Sequence, residues 1–200
     1  MHRAFKFLTF LTLLLSFTLA GEIGLGDVIP MGDIKMTDIS GKTVSLNDIK
    51  MENGLLVNFS CNSCPWVKAW QDRYNGIAKA SAKNKIGFIT INSNARTRTN
   101  GESIEDMQKF AKKYGHDFLY AMDEDSKLAF AFGAAKTPHI FLFDGKGKLV
   151  YRGAIDDNAR KPHKVKKTYL MDAIQAVGNG EVVQVAETKA FGCSIKFAEK

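Results

Sequence analysis

One short segment constrains the fold more than any other: an apolar run leads directly into two cysteines and then into a helical pattern. Residues 55–59 are almost entirely apolar, which is typical of a buried central strand. Cys61-Asn62-Ser63-Cys64 follows at once, and a helical pattern starts at Pro65 and continues to about residue 83. Proline is tolerated in the first helical turn, where its missing N–H costs no hydrogen bond. This order places Cys61 where a buried strand meets a helix.

The rest of the chain alternates between strand and helix patterns. The predicted elements are a hairpin over 36–46, a strand over 86–91, helices over 103–114 and 126–132, a hairpin formed by 140–143 and 149–152, and a last helix over 168–177. This alternation predicts an α/β fold with a mixed central sheet, helices on both faces and an added N-terminal β-hairpin. The predicted boundaries are 1–20 for a signal peptide, 21–53 for the N-terminal extension, 54–178 for the main domain and 179–200 for a C-terminal tail.

The first twenty residues have the pattern of a secretory signal peptide. Arg3 and Lys6 precede a thirteen-residue apolar run over 7–19, followed by Ala20. That run is shorter than the ~20 residues of a transmembrane helix, so an uncleaved membrane anchor is the weaker alternative. We therefore expect an exported protein, periplasmic or extracellular, that meets the membrane only through its signal peptide.

Charge and cysteine content narrow the choice of partners. The chain carries 28 Lys and Arg against 21 Asp and Glu, and its densest basic cluster, over 160–167, has little aromatic interleaving. This pattern favours a solvated surface over a nucleic-acid site. Three cysteines are an odd number for a compartment that oxidises thiols, so a purely structural disulfide framework is not expected.

The spacing of Cys61 and Cys64 predicts thiol–disulfide exchange. Free N–H groups and the positive dipole end at a helix start stabilise a thiolate, so the Cys61 sulfur is expected to be ionised and accessible. Cys64, one turn later, can then attack a mixed disulfide formed at Cys61 and release the partner. The alternatives are a structural disulfide, chance, or a zinc or copper site completed by Cys193 or His139.

Several segments together resemble bacterial thioredoxin-family redoxins with alkyl hydroperoxide reductase/thiol-specific antioxidant (AhpC/TSA) domains. The segments that carry the likeness are 59–70 around the cysteine pair, 91–94, 137–144, 151–158 and 187–196, which ends in Gly-Cys-Ser-Ile-Lys. The resemblance implies a three-layer thioredoxin-like fold with Cys61 as nucleophile and Cys64 as resolving thiol. It also implies a cis Thr137-Pro138 peptide facing the pair, whose Thr137 backbone is free to pair with an extended substrate strand.

The sequence departs from related proteins at two places. Asn58 occupies the place where thioredoxins often bury an acid, so another group must handle protons during exchange. The peroxiredoxin motif has a Thr three residues before its Cys. Neither Cys61 nor Cys64 has a Thr at that position, so a peroxidase is the second choice. The central Asn62-Ser63 dipeptide leaves the direction of electron flow open.

The predicted function is therefore that of a thiol–disulfide oxidoreductase acting on exported protein partners and reset by an upstream redox partner, with no cofactor and no metal. A thiol peroxidase and a redox-sensitive copper carrier are the alternatives. Three further residues have candidate roles. Trp66 is a candidate for substrate docking. Cys193 is either a third redox thiol or a half-buried structural residue of the tail, and His139 is either a neighbour of the thiols or a structural residue.

Overall fold

The computed structural model describes residues 21–199, so the predicted signal peptide lies outside the described residues. The strands are β1 (Met36–Asp38), β2 (Thr43–Val44), β3 (Gly54–Ser60), β4 (Ile86–Asn92), β5 (Leu119–Met122), β6 (Lys136–Thr137), β7 (His139–Asp144), β8 (Leu149–Gly153) and β9 (Cys193–Ser194). The helices are α1 (Leu46–Ile49), α2 (Pro65–Ala69), α3 (Gln71–Lys83), α4 (Ile104–Tyr114), α5 (Lys127–Phe132) and α6 (Tyr169–Gly178). Within residues 21–199, no helix is both long enough and apolar enough to span a bilayer.

Seven strands form one mixed sheet in the order β2-β1-β5-β4-β3-β7-β8. The pairs β3–β4 and β4–β5 are parallel, whereas β1–β2, β1–β5, β3–β7 and β7–β8 are antiparallel. The predicted N-terminal hairpin is present as β1 and β2 at one edge of the sheet. A second, two-stranded sheet pairs β6 with β9.

The sheet separates two hydrophobic cores, which confirms helices on both faces. Leu56 of β3 packs in one core with the buried faces of α2, α3, α4 and α6. Its neighbours Leu55 and Val57 point the other way, into a core with buried residues of α1 and α5. Alternating side chains of a strand point to opposite faces, and every residue of β3 is buried. β3 is therefore the central strand that the apolar run predicted.

The helix predicted over residues 65–83 is broken into α2 and α3 at Trp70. The Trp70 indole N–H donates to Asp156 Oδ1 at 2.8 Å, and its backbone N–H bonds the Val67 carbonyl. The Trp70 φ and ψ of −101° and 5° lie outside the helical region. A long-range contact thus interrupts a segment that is locally favourable to helix.

Three strands and one helix were not predicted from the sequence. β5 has only four residues, and β6 and β9 have two each. α1 is a single turn held by a Ser45 capping box. Elements this short do not show a recognisable hydrophobic period.

Candidate active site

Both sulfurs of the cysteine pair are buried. Helix α2 begins at Pro65 with Cys64 as its N-cap, so Cys61 lies three residues earlier, in the loop after β3. Cys61 is 1% and Cys64 3% exposed. The prediction of an accessible Cys61 sulfur is therefore wrong for this arrangement of the chain.

The loop between the cysteines is held by the carboxylate of Glu102, which is fully buried. Glu102 Oε2 accepts from the Asn62 N–H at 2.9 Å, and Oε1 accepts from the Ser63 N–H at 3.1 Å. The Ser63 hydroxyl and the Asn92 amide also donate to it, at 2.5 and 2.7 Å. The backbone N–H groups of Asn62 and Ser63, which directly follow Cys61, therefore bind this carboxylate and not a Cys61 thiolate.

Electrostatics favours the negative charge on Cys64 rather than on Cys61. Hydrogen bonding to Cys64, burial and the charge of Glu102 raise the pKa of Cys61. Hydrogen bonding to Cys61 lowers the pKa of Cys64, with further help from Cys193 and the Val67 N–H, and these effects outweigh burial. The Cys64 thiol can also donate to the Thr137 carbonyl, 3.1 Å away, which opposes loss of its proton. The several donors to Cys64 outweigh this effect, so the Cys61 thiolate expected from the sequence is wrong for this arrangement of the chain.

The cis Thr137-Pro138 peptide faces the pair, as the resemblance implied. Thr137 contacts both sulfurs: its Oγ1 lies 3.4 Å from Cys61 Sγ, and its carbonyl oxygen lies 3.1 Å from Cys64 Sγ. However, the Thr137 backbone is not free. It pairs with Cys193 in the β6–β9 sheet, which corrects the expectation of an open edge at this position.

The C-terminal tail covers the other predicted substrate contacts. The Phe191 ring packs edge-on against Trp66, with centroids 4.3 Å apart, and the Arg160 guanidinium lies 4.6 Å from the Trp66 ring. Trp66 is therefore partly buried rather than an open docking surface. Cys193 is half-buried and packs against the core that contains Cys61 and Cys64.

The acid that the sequence interpretation missed is Glu102. Asn58 is buried in β3 as expected and provides no acid, whereas Glu102 reaches the pair from the turn before α4. It directly precedes Ser103, whose capping box starts that helix. An acidic residue beside a predicted helix start was the available signal, but nothing local indicates that it contacts a loop about forty residues away.

His139 lies away from the thiols. It is 2% exposed, packs on Phe141 with ring centroids 4.5 Å apart, and its Nε2 is 3.2 Å from Glu22 Oε1. Phe141 belongs to the core on the sheet face opposite the cysteines. The suggestion that His139 tunes the thiols or completes a metal site with them is therefore wrong. In the described part of the chain, no group of three or more His, Cys, Asp and Glu is arranged to hold a metal ion.

Comparisons with known proteins find similar sequences and similar folds. The thiol-disulfide oxidoreductase ResA of Geobacillus thermodenitrificans is 24% identical over 149 residues, which make up 74% of this chain and 80% of that protein. The crystal structure of a hypothetical protein from Sinorhizobium meliloti is 31% identical, with a TM-score of 0.81 over 90% of this chain and 98% of that one.

The fold has a further counterpart in the thioredoxin domain of a thiol-disulfide oxidoreductase from Bacteroides vulgatus. The TM-score is 0.57 at 22% identity, over 72% of this chain and 97% of that one. This likeness confirms the thioredoxin-like fold. The model of the AhpC/TSA family matches residues 25–152, well over half of the chain. The chain therefore belongs to the AhpC/TSA family.

Proposed function

We propose that this protein is a thiol–disulfide oxidoreductase that exchanges disulfides with exported protein partners through Cys61 and Cys64. The observation that carries the proposal is the contact of both sulfurs with one residue, Thr137, at the cis peptide. An extended partner strand that pairs with β6 at Thr137 would bring its own sulfur next to the pair. The name of the ResA relative agrees with this activity.

The exchange takes place in two steps. The Cys61 thiolate attacks one sulfur of a partner disulfide, so that a Cys61–partner bond forms and the other partner sulfur leaves as a thiolate. Cys64 then attacks the Cys61 sulfur, the Cys61–Cys64 bond forms, and the second partner sulfur leaves. Two electrons pass from the pair to the partner, and the reverse sequence oxidises a partner dithiol.

Activation of Cys61 depends on moving one proton along the hydrogen bond that joins the two sulfurs. While the tail is paired with β6, Cys193 helps to keep the negative charge on Cys64. A partner strand that displaces the tail removes this contribution, and the proton can then pass from Cys61 to Cys64. The Thr137 hydroxyl, which lowers the pKa of Cys61, remains in place to stabilise the new thiolate.

The test is reduction of insulin disulfides by the reduced protein with dithiothreitol as the electron source. We expect activity in the wild type and its loss in Cys61→Ser. Cys64→Ser should accumulate a mixed disulfide with the partner, seen by mass spectrometry without reductant, because the resolving sulfur is absent. Thermal unfolding of each variant checks that it is folded.

Two results would contradict the proposal. The first is a Cys61→Ser variant that reduces insulin as fast as the wild type. The second is consumption of hydrogen peroxide at enzymatic rates by a wild-type protein that leaves insulin untouched, which would favour the peroxidase alternative.

A further inference from the structure

The tail occupies every substrate contact that the sequence predicted. Phe191 packs on Trp66, and the β9 backbone pairs with β6 so that Cys193 lies opposite Thr137. Between them, Gly192 lies so close to the cis peptide that a Cβ there would be 2.1 Å from the Thr137 carbonyl oxygen. Three consecutive residues therefore sit where a partner strand would bind.

Contacts on both sides hold this segment in register. On one side, Thr188 N–H donates to the Arg152 carbonyl at 3.0 Å. On the other, Ile195 is 5% exposed, and its N–H donates to the Ala135 carbonyl at 3.1 Å. The short stretch between these anchors crosses the cysteine pair.

We infer that Cys193 is a third redox thiol, which exchanges with Cys64 because the tail presents it as a partner strand would present its cysteine. This inference rests on the exchange activity proposed above. The Cys64 sulfur lies 3.1 Å from the Thr137 carbonyl oxygen, and Cys193 is the residue that pairs with Thr137 across the β6–β9 sheet, so the two cysteines flank the same peptide. The Cys64 and Cys193 side chains also shift each other's pKa, as expected for neighbouring thiols. The disulfide that the geometry favours is thus Cys64–Cys193.

The step conserves atoms and electrons. The Cys193 sulfur, after losing its proton, attacks the Cys64 sulfur of the Cys61–Cys64 disulfide. The Cys64–Cys193 bond forms, the Cys61–Cys64 bond breaks, and Cys61 leaves as a thiolate that takes up a proton. One disulfide replaces another without net oxidation, and the new one lies partly at the surface.

The pKa of Cys193 fits this order of events. Burial, the hydrogen bond with Cys64 and the charge on Cys64 raise it to about 11 in the dithiol form. Once Cys64 is part of a disulfide it carries no charge, so that part of the increase disappears. Cys193 therefore becomes more acidic when the pair is oxidised, which is when its attack has a target.

The consequence is a tail whose position depends on the redox state. A Cys64–Cys193 disulfide fixes β9 on β6 and excludes a partner strand from Thr137. Reduction of that bond frees the tail. Because Cys193 is half-buried and the paired sulfurs are nearly inaccessible, a resetting thiol reaches the chain at Cys193 first.

The test uses single-cysteine replacements in the full chain, each equilibrated with reduced and oxidised glutathione. Samples are quenched in acid, alkylated and mapped by mass spectrometry. Cys61→Ser retains Cys64 and Cys193, and Cys64→Ser retains Cys61 and Cys193. We expect the equilibrium constant for intramolecular disulfide formation to be at least about tenfold higher in Cys61→Ser, because only there are the sulfurs held together.

A second comparison tests the role of the tail itself. Gly192→Ala in the Cys61→Ser background should lower disulfide formation several-fold, because the new methyl group pushes β9 off Thr137. Gly76→Ala is the matched control, since a Cβ at Gly76 in α3 meets no atom within 4 Å. Equal disulfide formation in both glycine variants would overturn the role of the docked tail.

These outcomes are separate from those of the insulin assay. Formation of Cys64–Cys193 in the Cys61→Ser variant supports the inference whether or not the wild type reduces insulin. If that variant forms only mixed disulfides with glutathione, or if Cys64→Ser closes equally well, the inference is wrong even in an active protein.

Discussion

Single residues decide how the thiol pair is held, and Glu102 has the largest part in this. Its carboxylate accepts from two backbone N–H groups, the Ser63 hydroxyl and the Asn92 amide, and thereby fixes the Cys61–Cys64 loop. The same negative charge raises the pKa of Cys61. Glu102 therefore orders the loop and disfavours a Cys61 thiolate at the same time.

We expect Glu102→Gln to separate these two effects. The amide cannot accept every hydrogen bond of the carboxylate, so the free energy of unfolding should fall by about 1–3 kcal/mol. The loss of charge should also lower the pKa of Cys61, which moves the pH profile of its alkylation to lower pH. Urea unfolding and alkylation rates measure the two quantities.

Glu105→Gln, an exposed change in the first turn of α4, is the control and should leave the alkylation profile in place. A Glu102→Gln protein whose Cys61 titrates at higher pH would contradict the electrostatic argument.

His116 makes stability depend on pH. Burial lowers the pKa of His116 to about 4, against the opposing charge of Asp117. The unfolded chain takes up a proton near pH 6.5 and the folded chain does not, so stability is lost as pH falls from about 6.5 towards 4. Because solvent partly screens this ring, we expect about 1 kcal/mol less stability at pH 5 than at pH 7 from this residue.

Urea unfolding at both pH values measures the effect. The His116→Gln variant, which can still donate to Gln71, should lose less stability between pH 7 and pH 5 than the wild type. An identical loss in both proteins would show that other groups cause it.

The residues that sequence could identify are those within one motif. Cys61 and Cys64 follow from a short pattern and the cis Thr137-Pro138 peptide from the family resemblance, and the structure brings all of them together. Glu102 and Cys193 reach the site through long-range packing, so no local pattern predicts their contacts. The burial of Cys61 was missed for the same reason, because it depends on the long-range packing of the core.

At the level of secondary structure, side chains at the break between α2 and α3 bind the loop that contains Asp156. Asp156 is 6% exposed and accepts from the Trp70 indole at 2.8 Å and from Arg73 Nε at 3.1 Å. Arg73 also donates to the carbonyl oxygen of Asn158 at 2.8 Å. This buried polar junction determines where α2 ends.

Asp156→Ala should destabilise the protein by about 3 kcal/mol, because it leaves the Trp70 and Arg73 donors without their acceptor. Chemical denaturation measures the change. Asp157→Ala, the neighbouring exposed residue, is the control and should have a much smaller effect. If both variants lose a similar free energy of unfolding, the buried hydrogen bonds of Asp156 contribute no more to stability than the charge of an exposed Asp.

Element predictions succeeded where a hydrophobic period was long enough to read. β3, β4, α4 and the β7–β8 hairpin agree with their predicted positions to within a residue or two. β5 and the β6–β9 pair were missed because they have only two to four residues each. The latter pair also joins segments more than fifty residues apart, and its existence depends on packing rather than on propensity.

In the whole molecule, stability is unevenly distributed between the central sheet and the tail. β3 is buried along its full length and pairs with both β4 and β7. β9 pairs with only two residues, and the neighbouring Phe191 is 50% exposed. Local opening generally follows such differences in burial.

We therefore expect amide hydrogen exchange at Ile195 to be faster than at Leu56 of β3, because the tail can open without global unfolding. Phe191→Ala should accelerate exchange at Ile195 and leave Leu56 unchanged. Phe130→Ala, at an equally exposed phenylalanine on α5, is the control. If Ile195 exchanges as slowly as Leu56 in every protein, the tail does not open separately from the core.

The position of β9 in the chain also fixes a time order for biosynthesis. β9 follows all the other strands, so the ribosome delivers Cys61, Cys64 and Thr137 long before Cys193. Domains fold as their residues become available during synthesis. Until the last strand arrives, a nascent molecule has no β9 paired with β6, so the Thr137 edge is the last part of the site to be covered.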